Sequence, residues 1–201
     1  MQLPEYLLSG ALGLGLAACS GFRVFVPLLA ASIAYRTGLL HPSAGFAWLG
    51  TWGAMGALAT ATVAEILGYY FPVVDNALDT ITTPASFIAG TVLMTAALPD
   101  LDPAVRWGLG VLVGGGTAGL IQTGTALLRA GSTMGTAGLG NPVLATVENT
   151  LAIFGTALAL LAPALAAGLG LVLVLYIATR LRRWRQHRKG QRAGSAALPE
   201  S

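Results

Sequence analysis

Cysteine and histidine are almost missing from this chain. Cys19 is the single cysteine, and the two histidines are His41 and His187. One cysteine closes no intrachain disulfide and builds no CxxC metal or redox site. The histidines fall in a loop segment and in a basic tail, which argues against a histidine-based catalytic site, and no cofactor or metal motif is expected. Charge is scarce as well. Only 9% of the 201 residues are charged, against about 25% in soluble domains, while 55% are hydrophobic and 27 are glycine. Such a composition excludes an ordinary soluble domain and points to a polytopic membrane protein, an all-α transmembrane helical bundle. No basic segment precedes the first apolar run, and Leu7 to Tyr35 is longer than a signal-peptide core, so that run is expected to persist as a span.

What charge there is lies unevenly. Seven of the 11 basic residues are Arg180, Arg182, Arg183, Arg185, Arg188, Lys189 and Arg192. By the positive-inside rule this end is cytoplasmic, so the expected location is the cell (inner) membrane, multi-pass. The sequence pI of about 9.4 comes from the same residues. It therefore speaks for topology and for contact with anionic lipid, not for nucleic acid. Residues 1–179 are read as one transmembrane domain and residues 180–201 as a basic cytoplasmic tail without fixed structure.

Six membrane segments are expected from the apolar spacing. Leu7 to Tyr35 holds a small-residue break at Cys19-Ser-Gly21 and Pro27, and fits either one kinked helix or a re-entrant pair. Phe46 to Tyr70 is the second segment. A polar connection follows, Pro72 to Pro84, read as a short interfacial helix. A third segment covers Ala85 to Leu98, and the turn Pro99-Asp-Leu-Asp-Pro103 leads to a fourth, Ala104 to Leu128. A loop rich in Gly, Ser and Thr, Arg129 to Asn141, precedes an apolar stretch from Pro142 to Thr179, split at Pro163 into two spans. Ala61-Thr-Val-Ala-Glu65 is echoed by Ala145-Thr-Val-Glu148, and Pro-Leu-Leu-Ala-Ala31 by Ala-Leu-Leu-Arg-Ala130. These echoes fit an inverted three-plus-three repeat, residues 7–98 and 104–179. Gly110, Gly114 and Ala118 form one small-residue row and Gly115 and Gly119 another, suited to close packing within the chain or to a homo-oligomer.

A charge at bilayer depth costs roughly 2.5–3.5 kcal/mol on insertion scales, so buried ionisable residues are candidate functional groups. Arg23, Glu65 and Glu148 stand out, with Asn149 beside the last. Glu65 has Thr62 and Tyr69 at helical spacing, and a carboxylate so placed can load and release a proton, or else form a structural ion pair with Arg23 or Arg129. Arg129 is placed shallower, within snorkelling reach of the interface. Glu148, Asn149 and Thr150 fan over about 200° of a helix, so not all three face one partner. Asn141-Pro142 opens a helix whose N-terminus suits an anion. Asp75 and Asp79 share a helix face and suit a cation together with Asn76, or solvent.

Taken together, Gly-Phe-Arg-Val-Phe-Val-Pro-Leu-Leu29, Glu65 followed by Pro72-Val-Val-Asp-Asn-Ala-Leu-Asp79, and Gly-Leu-Gly-Asn-Pro-Val143 with Glu148 resemble the domain-of-unknown-function 4126 family of small polytopic membrane proteins. The likeness spans residues 10 to 165. It implies a membrane location and one compact helical domain, with no activity attached. The residues themselves leave three functional readings. A small transporter or channel would use Arg23, Glu65 and Glu148 around a polar cavity to move a solute or ion. A membrane scaffold would use the same charges as internal pairs. A membrane enzyme on a lipid or phosphorylated substrate would need Asp75 and Asp79 to converge with further acidic groups.

Overall fold

Lipid offers no partner to a free backbone amide, so apolar segments of this kind close their hydrogen bonds as helices. The computed structural model describes residues 3–43, 45–98 and 101–196, with the side chains of residues 72, 73, 76, 184, 185 and 187–196 outside that description. Asn76 as a cation contact, Pro99 and Asp100 in the turn, and the side chains of Arg185, His187, Arg188, Lys189 and Arg192 therefore lie outside the described residues.

The first apolar run is two helices, α1 (Leu3–Ser20) and α2 (Phe25–Arg36). Their junction is tight. A Cβ on Gly21 would stand 2.5 Å from Cβ of Ile121 and 2.7 Å from the carbonyl oxygen of Ala118. Pro27 falls in the first turn of α2, where its missing N–H costs nothing, so it helps start a helix and does not kink one. A 3₁₀ turn at Ala47–Gly50 then leads to α3 (Trp52–Gly68), capped by Thr51, whose hydroxyl accepts from the amide of Ala54.

The expected interfacial helix before Ala85 does not exist as a separate element. One helix, α4 (Pro72–Ala97), runs through Pro84. Hydroxyls beside the proline bond nearby carbonyls, Thr83 to Asp79 and Ser86 to Thr83, which supports the helix across the missing amide. Asp102 caps α5 (Pro103–Leu109), which passes through a π turn at Gly110–Gly115 into α6 (Gly116–Thr136). The small-residue row meets α4 of the same chain: a Cβ on Gly114 would collide with the carbonyl of Gly90, and one on Gly90 would stand 2.6 Å from Cβ of Ala118.

The segment expected to form a loop from Arg129 is helical as far as Thr136, and reverses only at Ala137 and Gly138, with φ of 52° and 87°. Its hydroxyl residues bond back to the helix, as Thr136 does to the carbonyl of Ser132. The long apolar stretch splits as expected, into α7 (Asn141–Leu161) and α8 (Pro163–Ala196). Helix α8 continues to Ala196, and the arginines there are good helix formers.

With α5 and α6 counted as one rod, the described residues form seven helices and no strand. Four stretches, 77–97, 103–136, 141–161 and 163–183, are long and apolar enough to cross a bilayer, and they mark the chain as a membrane protein. Helix α1 is central. Its Gly13 lies against Met94 of α4, and its Gly15 against Ala159 of α7 and Ala166 of α8. Side-chain contacts fix the directions. Helices α1, α3, α6 and α8 run towards one end of the bundle, while α2, α4 and α7 start there.

Candidate functional site

At the end where α2, α4 and α7 begin, the sequence places one or two charged residues on each of five elements. Arg23 sits at the α1–α2 junction, Glu65 near the end of α3, Asp75 and Asp79 in the first two turns of α4, Arg129 on α6 and Glu148 on α7. Packing brings Arg23, Arg129, Asp75, Asp79 and Glu148 into one ion-paired network, with Asp79 at its partly exposed edge, and sets Glu65 beside it on the amides that follow Arg23.

Arg23 is fully buried and spends its donors on four acceptors. Its Nε donates to Oδ1 of Asn149, one terminal nitrogen to Glu148 at 2.9 Å and to the carbonyl of Phe22, and the other to the carbonyl of Ala145. Arg129 is 2% exposed. It bonds Asp75 at 3.3 Å, Asp79 at 2.5 Å, and Glu148 through the same carboxylate oxygen that Arg23 uses. The expectation that Arg129 snorkels to the interface is corrected here. It lies seven residues inside the end of α6, about 10 Å at 1.5 Å per residue, on the face that meets α4 and α7.

Glu65 answers a different need. Its two oxygens accept the amides of Val24 and Phe25, at 2.7 and 3.0 Å. These are the unsatisfied donors at the start of α2, where the helix dipole is positive. A carboxylate from α3 thus caps a helix that begins inside the bundle. Because Arg23 meets Glu148 seven residues into α7, the tip of the α1–α2 hairpin also lies about 10 Å below the end of α7.

Tyr69, just past α3, is the residue that sequence reasoning did not single out as a site member. Its ring lies under both guanidinium groups, 3.9 Å from Arg23 and 4.0 Å from Arg129. Its hydroxyl donates to Asp79 and pairs with Thr82, which in turn accepts from Gln122. The available signal was its position four residues after Glu65, which the sequence reading used only as a hydroxyl beside a carboxylate.

Asn141 donates to Asp75 and to Thr133, leaving its carbonyl oxygen without a partner among the described residues. Asn149, besides accepting from Arg23, donates to the Tyr70 hydroxyl at 3.4 Å. Thr150 turns outward and bonds the carbonyl of Thr146, so of the three consecutive polar residues two face the network. Asp75 and Asp79 do share a face of α4, and that face meets Arg129. Among the described residues no group of three or more His, Cys, Asp or Glu side chains is placed to hold a metal ion.

The charge balance is uneven. Two guanidinium groups stand against four carboxylates, three of them ion-paired and Glu65 held by backbone amides. The α2 N-terminus offsets roughly half a charge at Glu65. Formal neutrality otherwise requires two protons or counter-cations.

A family model described as "Domain of unknown function (DUF4126)" matches residues 11–183. No curated protein and no solved structure matches the chain.

Proposed function

The chain belongs to the DUF4126 family, a membership that attaches no activity to it; from the charge network we propose a multi-pass protein of the cell (inner) membrane that moves a small solute or ion, with that network as the element that changes state. The observation that carries this reading is the excess of two carboxylates over guanidinium groups, with Glu65, Asp75 and Glu148 buried and Asp79 partly buried, around the tip of the α1–α2 hairpin. A network so composed exchanges protons or cations when it is exposed to water, and internal helix ends at such a site are the device by which transporters bind ions. The proposal includes six membrane segments, with the α8 end in the cytoplasm, and an inverted repeat. In support of the repeat, the echoed segments lie on helices that run in opposite directions, α2 against α6 and α3 against α7.

The test is flux into liposomes containing the purified protein, under an imposed pH gradient. Glu65→Gln and Glu148→Gln are expected to leave the protein inserted and folded while abolishing pH-dependent flux. Parent-like flux in both variants would overturn the assignment. For topology, Ser195→Cys in a Cys19→Ala background is expected to resist labelling from outside intact cells.

A second reading is favoured by one observation: Arg23, Arg129, Asp75, Asp79 and Glu148 are ion-paired to one another, and Glu65 is capped by backbone amides. Under that reading the network locks the helices of a scaffold. Liposomes containing the parent would then show no flux for any ion tested, and the same variants would alter only stability.

A further inference from the structure

On the side of the bundle away from α4, a cleft of about 1330 Å³ opens between α1, α6, α7 and α8. Its volume exceeds the roughly 300–1,000 Å³ of ordinary small-ligand sites. The walls are apolar, and Leu151, Phe154 and Leu169 present them to the outside. From Ala166 to Arg183 the α8 wall covers 18 residues, a rise of about 26 Å, close to the roughly 30 Å hydrocarbon thickness of a bilayer. One end differs from the rest: Arg180 and Arg183 line it, with the Nε of Arg180 held by the Tyr176 hydroxyl at 3.2 Å.

We infer that this cleft is a binding site for an anionic phospholipid of the surrounding bilayer, with an acyl chain along α7 and α8 and the phosphate at Arg180 and Arg183. A cleft that is apolar along a bilayer-scale length and cationic at one end matches an amphiphile of that polarity. The phosphate level follows from α8 itself, because the helix leaves its apolar stretch for its basic one at Thr179–Arg180. The site also touches the charge network without sharing its charges. The carbonyl of Phe22 accepts from Arg23, and Phe22 lines the cleft.

The experiment is native mass spectrometry of the full chain, purified in detergent and mixed with equal amounts of phosphatidylglycerol and phosphatidylcholine of the same chain length. One retained phosphatidylglycerol per chain is expected, in preference to phosphatidylcholine. The preference should fall about fivefold for each of Arg180→Gln and Arg183→Gln, since a basic residue near an anionic headgroup contributes about a factor of five. Leu169→Trp, an exposed wall position, is expected to reduce retention of both lipids without loss of folded protein in the same spectra. Equal retention of the two lipids by the parent, or unchanged retention in Leu169→Trp, overturns the inference. So does displacement of the bound mass by inorganic phosphate alone, which would mark a headgroup-only contact. A dimer mass that excludes lipid would assign the cleft to a second copy of the chain and overturn it equally.

Discussion

Arg129→Gln removes a group that holds three carboxylates at once. The parent side chain bonds Asp75, Asp79 and Glu148 and lies 4.0 Å over the Tyr69 ring. After substitution, Arg23 alone faces four carboxylates, of which Asp75 is 1% exposed and Glu148 5%. Breaking one buried ion pair by removing a partner typically costs 3–5 kcal/mol, about the range to expect here, because the network can relax by taking up protons. The lost cation–π contact adds roughly 0.5–2 kcal/mol. At about 2–4 °C per kcal/mol for a chain of this size, thermal unfolding in detergent should fall on the order of 10 °C or more. Neutralising the stranded acids separates the cause from simple loss of volume. Arg129→Gln with Asp75→Asn and Asp79→Asn is expected to regain much of the loss, whereas independent sites would add. An unfolding temperature within about 1 °C of the parent for the single variant would refute the claim that this guanidinium ties α4, α6 and α7 together.

Glu65→Gln keeps one acceptor oxygen for the two amides at the start of α2, so one buried donor is stranded at a cost of about 1–3 kcal/mol, and Glu65→Ala costs more; amide hydrogen exchange at Val24 and Phe25 reads this directly. Tyr69→Phe retains the ring under both arginines and loses the bonds to Asp79 and Thr82, for about 1–2 kcal/mol in a denaturation assay, whereas Tyr69→Leu also loses the stacking. Gly21→Ala drives a methyl into Ile121 and the Ala118 carbonyl, an overpacking cost of about 1–3 kcal/mol, while Gly116→Ala meets nothing within 4 Å and is expected to be neutral or stabilising; equal effects of the two on folded yield would contradict the packing described at the hairpin tip.

The sequence by itself determined the class of this protein. Scarce charge and long apolar runs leave few solutions other than helices in a bilayer, and the cost of burying charge singled out Arg23, Glu65 and Glu148 before any contact was known. Pro163 marked a helix end because a missing amide acts locally. The helical span of Pro72 to Ala97 and the inward turn of Arg129 were not legible in the same way. In a membrane bundle the lipid-facing and core-facing sides are both apolar, so periodicity does not say which face a lone arginine occupies. Only the tertiary structure decided that Arg129 meets Asp75 and Asp79, 54 and 50 positions away, and that Glu65 caps α2 across 41. Those partners follow from how five elements pack at one end of the bundle, because a buried charge is tolerated only where several of them converge to satisfy it.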